Sequence, residues 1–154
     1  MKNVKKISHG KYFRVALTEE GKLFFQGQSR KYMLGSCNNH ESKWDDFCLI
    51  NERFFRNDED DKLVDVVGGR NYTAVLTEKG RIFATSYIFW RSFSGCRENP
   101  ENYEDTPFEL KLPEGYTGKC LFGSIKDRIW VNVVDSEGKM KTFANGQKTC
   151  ELGI

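Results

Sequence analysis

The sequence predicts an all-β fold, a partial β-propeller of about three blades, each an antiparallel four-stranded sheet. Three observations carry this. The same strand–turn–strand pattern is written three times along 154 residues. Its segments are rich in β-branched and aromatic residues with partial alternation. No window of helical length shows a clean 3.6-residue period with caps.

The repeat emerges when the chain is slid on itself. A shift of 59 places Gly10 on Gly69, Leu17 on Leu76, Thr18 on Thr77, Glu19 on Glu78 and Gly21 on Gly80. A further 58 residues on, Gly138 takes the place of Gly80 and Val134 that of Leu76. Each copy continues to a second short strand and a closing glycine: "KLFFQGQSRKYMLG" to Gly35, "RIFATSYIFWRSFSG" to Gly95 and "KMKTFANGQKTCELG" to Gly153. The repeat units are therefore placed at about 1–35, 36–95 and 96–154 of a single domain spanning 1–154.

Within each unit "FRVALT", "YTAVLT" and "WVNVVD" read as first hairpin strands, and "KLFFQ", "RIFAT" and "KMKTFA" as second strands. Gly21, Gly80 and Gly138 sit where a type I turn followed by a left-handed residue closes a hairpin, a place where a Cβ collides with the backbone. Gly10, Gly27, Gly69 and Gly146 complete the set of structural glycines. The segment 41–55, "ESKWDDFCLINERFF", comes nearest to a helical face, and a short helical turn before the strand "FCLI" is the lesser of its two readings. Trp44 and Trp130 are expected in the core. A period near 58 suits a four-stranded blade and is too long for one coil of a simple β-helix.

These residues resemble the regulator of chromosome condensation (RCC1-like) repeats. The resemblance lies in "VKKISHGKYFRVALTEEGKLFFQGQSRKYMLG", "VDVVGGRNYTAVLTEKGRIFATS" and "WVNVVDSEGKMKTFANGQKTCELG", and covers nearly the whole chain. The frequent histidine of such repeats is Phe13, Tyr72 and Trp130 here. Ser86 stands where copy one has Gly27, and copy three reads as carrying an insertion between Gly138 and Gly146. The resemblance implies a blade of a seven-bladed ring. Two complete units plus the later part of one, starting at the hairpin of copy one, make an open arc. Three completions are open: packing on other subunits, self-association into a six-bladed ring, or continuation of a longer propeller.

Composition points to no special chemistry. The net charge is +2, which asks for neither nucleic acid nor a membrane surface. No apolar run is long enough to span a bilayer, and no secretory leader follows "MKNVKK". The five cysteines (Cys37, Cys48, Cys96, Cys120 and Cys150) form no C-x-x-C pair and suit a reducing intracellular compartment. Cys37 and His40 lack a second metal pair, and the acidic run 57–62 lacks the spacing of a calcium loop, so it reads as solvated. With two histidines and no oriented carboxylate beside either, neither a catalytic site nor a cofactor is expected.

The aromatic segment 86–95 stands out. Tyr87, Phe89, Trp90, Arg91 and Phe93 replace the polar residues of copy one and are candidate interface anchors. The expected function is a non-enzymatic protein–protein interaction module within a larger assembly. The alternative implied by the resemblance is guanine-nucleotide exchange, or chromatin-associated regulation, of a small GTPase.

Overall fold

A computed structural model describes residues 1–29, 42–50, 60–70, 72–86, 108–123, 129–145 and 152–153. Twelve strands form among them: β1 (Val4–His9), β2 (Phe13–Thr18), β3 (Leu23–Ser29), β4 (Ser42–Leu49), β5 (Leu63–Gly68), β6 (Tyr72–Thr77), β7 (Ile82–Ser86), β8 (Phe108–Leu110), β9 (Thr117–Gly123), β10 (Ile129–Val134), β11 (Met140–Asn145) and β12 (Leu152–Gly153). They build three antiparallel four-stranded sheets, β1–β4, β5–β8 and β9–β12, each a meander in chain order. These are three blades of a β-propeller. The sequence units are offset from the blades, since the outermost strand of each of the first two sheets is drawn from the start of the next unit.

One expectation and one lesser reading fail at the first blade. It does not start at the hairpin: β1 pairs along β2, so the sheet has all four strands. No helical turn forms over 42–49, which is strand β4. The irregular spacing of apolar residues in "SKWDDFCL" has a sheet explanation. The β3–β4 register shifts between Phe25 and Gly27, and this bulge breaks strict alternation.

The three central hairpins are the same object. Leu17 faces Leu23, Leu76 faces Ile82 and Val134 faces Met140. Thr18, Thr77 and Asp135 each accept from the turn glycine's N–H at 2.9–3.0 Å, and Gly21, Gly80 and Gly138 hold φ of +82°, +81° and +78°. The register runs on unbroken in blade three, where Ala144 faces Trp130 as Gly27 faces Phe13. The insertion expected between Gly138 and Gly146 is therefore not present in the strand pairing.

The blades meet at their first strands, with β5 lying against both β1 and β9. Backbones approach closely there. A Cβ on Gly68 would stand 3.0 Å from the Gly10 nitrogen, and one on Gly123 would stand 3.1 Å from the Gly68 oxygen. Two apolar joints fill the space between sheets. The first gathers Phe13, Val15, Leu17 and Phe25 with Val66, Val75 and Phe83. Leu63 and Val66 of the innermost strand β5 and Val15 and Val75 of β2 and β6 meet Phe13, which stacks on Phe25, while Phe83 and the half-buried Trp44 lie on the outer strands. The second joint gathers Tyr72, Ala74, Leu76 and Ile82 with Leu121, Ile129, Val131 and Phe143.

Candidate interaction surfaces

The burial of the second strand in each blade reports what lies on either side of it. In β6 every residue is buried, because Tyr72, Ala74 and Leu76 face blade three while Val75 faces blade one. In β10 burial alternates: Ile129, Val131 and Val133 pack on blade two, and Trp130, Asn132 and Val134 turn the other way. Trp130 occupies the position of Phe13 and Tyr72, eight residues before the turn glycine, yet it is 38% exposed. The expectation of a core tryptophan fails because, among the described residues, no fourth sheet covers this side.

Each flanking blade thus presents one open face. On blade one, Ile7, Ala16, Phe24 and Leu49 form a single row across all four strands. Ile7 is 48% and Leu49 52% exposed. The matching row of blade two contains Val66, Val75 and Phe83, which are buried against blade one. On blade three the open side carries Phe122, Trp130 and Met140, the last 63% exposed. Beside them Thr142 Oγ1 donates to Asn132 Oδ1 at 2.7 Å, a polar pair where the equivalent residues of the other blades are apolar.

A polar link ties the three blades together along the inner strands. Asp65 sits at the bulge of β5 and is almost fully buried. Its Oδ1 accepts from Lys6 Nζ at 2.6 Å and from its neighbour's amide, Val66 N, at 2.8 Å. Its Oδ2 accepts from Leu121 N at 2.8 Å. One carboxylate therefore binds blade one by charge and blade three by backbone. Close by, Gly68 N donates to Ser8 Oγ at 2.9 Å.

The acidic run behaves differently from a solvated loop where it is described. Asp61 is fully buried and accepts from Lys79 N at 2.9 Å, which ties the β6–β7 turn to the chain entering β5. Asp60 is exposed and pairs with Lys79 Nζ at 2.9 Å; the hydrogen bond and charge of that ammonium hold its carboxyl below the usual 3.8. Lys141 Nζ donates to Tyr116 Oη at 2.8 Å, and this contact raises the ammonium above its ordinary 10.5.

Gly10 and Gly69 have a steric role. Each N–H donates to the carbonyl three residues on, and a Cβ at either would overlap the ring of Phe13 or Tyr72. Aromatic rings thus occupy the histidine positions of the repeat and lie over the glycine. The interface candidates Tyr87, Phe89, Trp90, Arg91 and Phe93 lie outside the described residues, as do Gly35, Gly95, Gly146, Cys37 and His40. Cys48 and Cys120 are free thiols. Among the described residues no cluster of His, Cys, Asp or Glu could hold a metal, and no helix is long and apolar enough to cross a membrane.

The chain matches no protein-family model and none of the curated proteins. Solved structures do match. Prp20p of Saccharomyces cerevisiae, described with its binding properties to Gsp1p and histones, aligns over 94% of this chain with TM-score 0.64 and 22% identity. The fold is that of RCC1-like repeats. Yeast RCC1 (Prp20) bound to Kap60 aligns over 93% with TM-score 0.61 and 18% identity, and human WBSCR16 over 93% with TM-score 0.61 and 13% identity. The chain spans about a third of the length of these structures, covering 33%, 30% and 33% of them respectively.

Proposed function

We propose that the chain is a non-enzymatic protein–protein interaction module of a larger assembly in a reducing intracellular compartment. One observation carries the reading: the middle blade is buried on both faces, while the flanking blades expose large apolar residues (Ile7 and Leu49 on blade one, Phe122, Trp130 and Met140 on blade three) on the faces that no further described sheet covers. Contiguous exposed apolar surface rimmed by polar groups marks a protein contact. The free thiols at Cys48 and Cys120 suit such a compartment. The aromatic segment 86–95 adds Trp90 and Arg91 as anchors of the kind that dominate interfaces.

The test is co-purification with tagged chain carrying Ile7→Glu with Trp130→Glu, beside Lys139→Glu as a surface control. The double variant loses its partners with unchanged circular dichroism, and the control keeps them. Identical partner sets in all three would overturn the reading, and light scattering of the purified chain separates self-association from other partners. Trp90→Ala with Arg91→Ala tests the aromatic segment in the same assay.

The second reading, exchange on a small GTPase or regulation at chromatin, is favoured by the shared fold with Prp20p, a protein with binding properties to Gsp1p and histones. It predicts accelerated release of a fluorescent guanine nucleotide from a small GTPase. Release at the spontaneous rate, with no histone retained, would remove it.

A further inference from the structure

At the end of blade one, where β1 turns into β2, lies a groove of about 390 Å³. It is within the range of ligand-binding clefts. Its floor is Gly27, which faces Phe13 on one side and Trp44 on the other. Gly27 holds φ of +112°, and a Cβ there would stand 2.5 Å from the Tyr12 carbonyl oxygen. The positions equivalent to Gly27 are Ser86 in blade two and Ala144 in blade three, so this floor belongs to blade one alone.

The walls are held before any ligand arrives. Gly10 N donates to Phe13 O at 2.8 Å and Gln28 N to Tyr12 O at 2.9 Å, which pins the Lys11–Tyr12 turn over the end of β3. Opposite, Gln26 Nε2 donates to the Asp45 carbonyl at 2.7 Å, and Trp44 is set edge-on to Phe25 with ring centroids 5.3 Å apart. A groove fixed in this way loses little freedom on binding.

Its charge is asymmetric. His9, Lys11 and Arg14 line it, with Asp45 as the one carboxylate among its described lining residues. Lys11 Nζ lies 4.7 Å from the centre of the Tyr12 ring, and neither Lys11 nor Arg14 makes a salt bridge among the described residues. The equivalents of His9 and Arg14 in blade two are Gly68 and Thr73, which carry no charge. The Arg14 fork matches a carboxylate, and the half-buried Trp44 and Tyr12 offer flat surface to an extended backbone.

We infer that this groove binds an acidic peptide segment in extended conformation, its carboxylates toward Lys11 and Arg14 and its backbone along Gly27 between Tyr12 and Trp44. His9, Arg14 and Gln26 form the next row on the face that carries Ile7, Ala16 and Phe24, so the peptide borders whatever covers that open face. The experiment is fluorescence anisotropy of labelled hexaglutamate, hexaglutamine and hexalysine peptides titrated with the full chain at low salt, with inorganic phosphate as competitor. Hexaglutamate binds, hexaglutamine and hexalysine do not, and Lys11→Glu with Arg14→Glu weakens hexaglutamate by roughly tenfold or more. Lys22→Glu, at the other end of the hairpin, leaves the affinity unchanged. All three positions are at the surface, so circular dichroism is the same for all variants. Equal affinity of the Lys11/Arg14 variant, tight binding of hexaglutamine, or complete displacement by millimolar phosphate would each overturn the inference, the last by showing a simple anion site.

Discussion

Replacing Asp65 by Ala tests whether three blades share one anchor. The substitution removes the acceptor from two backbone N–H groups, those of Val66 and Leu121, and from Lys6. Each buried N–H left without a partner costs about 1–3 kcal/mol. The Lys6 side chain is 35% exposed, so its ammonium finds water and the ion pair itself adds at most about 1 kcal/mol. The sum, allowing water to reach part of the site, is about 3 kcal/mol. For a chain of this size that lowers Tm by roughly 6–12 °C. Asp65→Asn is expected to cost as much, because its amide turns a donor toward either Leu121 N or Lys6 Nζ. Lys6→Ala leaves both backbone bonds of Asp65 in place and is expected to cost less than Asp65→Ala, its remaining cost coming from a nearly buried carboxylate left without its counter-charge. The assay is thermal and urea unfolding at pH 7 followed by circular dichroism. An Asp65→Ala variant within about 0.5 kcal/mol of the parent, or a Lys6→Ala variant equally destabilised, would refute the reasoning that the backbone bonds dominate.

Three further outcomes are expected. Gly138→Ala meets no neighbouring atom, so urea unfolding should report only the left-handed backbone strain of about 1–2 kcal/mol. Gly80→Ala should cost more, because its Cβ runs into Thr117 and lies 3.1 Å from Gly118 N on blade three; equal costs would refute the packing argument. Lys79→Met should return the Asp60 carboxyl upward toward 3.8, read by carbon NMR titration; since the folded value lies below the unfolded one, the linked stability is present above about pH 4 and lost as pH falls through the folded value.

The hairpins were legible because they are local. A turn glycine, an apolar row and a fixed spacing specify strand, turn and register without any distant partner, and Gly21, Gly80 and Gly138 occupy equivalent turns. Trp130 was misread for the opposite reason. Its type and register match Phe13 and Tyr72, and its exposure depends on a neighbouring sheet that local pattern does not encode. β4 was obscured by the bulge between Phe25 and Gly27, which places Asp45 and Asp46 amid apolar residues. Asp61 and Asp65 gave no signal at all. Each looks like one more acid in a charged stretch, and its worth comes from N–H groups 18 and 56 residues away. The groove over Gly27 was equally silent, since Lys11 and Arg14 gain meaning only once Trp44 is folded back beside them.

The aromatic content of the first joint sets more than packing. Phe25, Phe83 and Trp44 stand between the outer strands of the first two sheets, so their bulk contributes to the angle between those sheets. Four strands place the outermost roughly 14 Å from the innermost. Over that lever a change in spacer thickness of about 1 Å turns the next blade by roughly 4°. Ring size is thus angular information: shrinking Phe83 to Leu would narrow the angle between these two sheets and flatten the arc of everything attached beyond it.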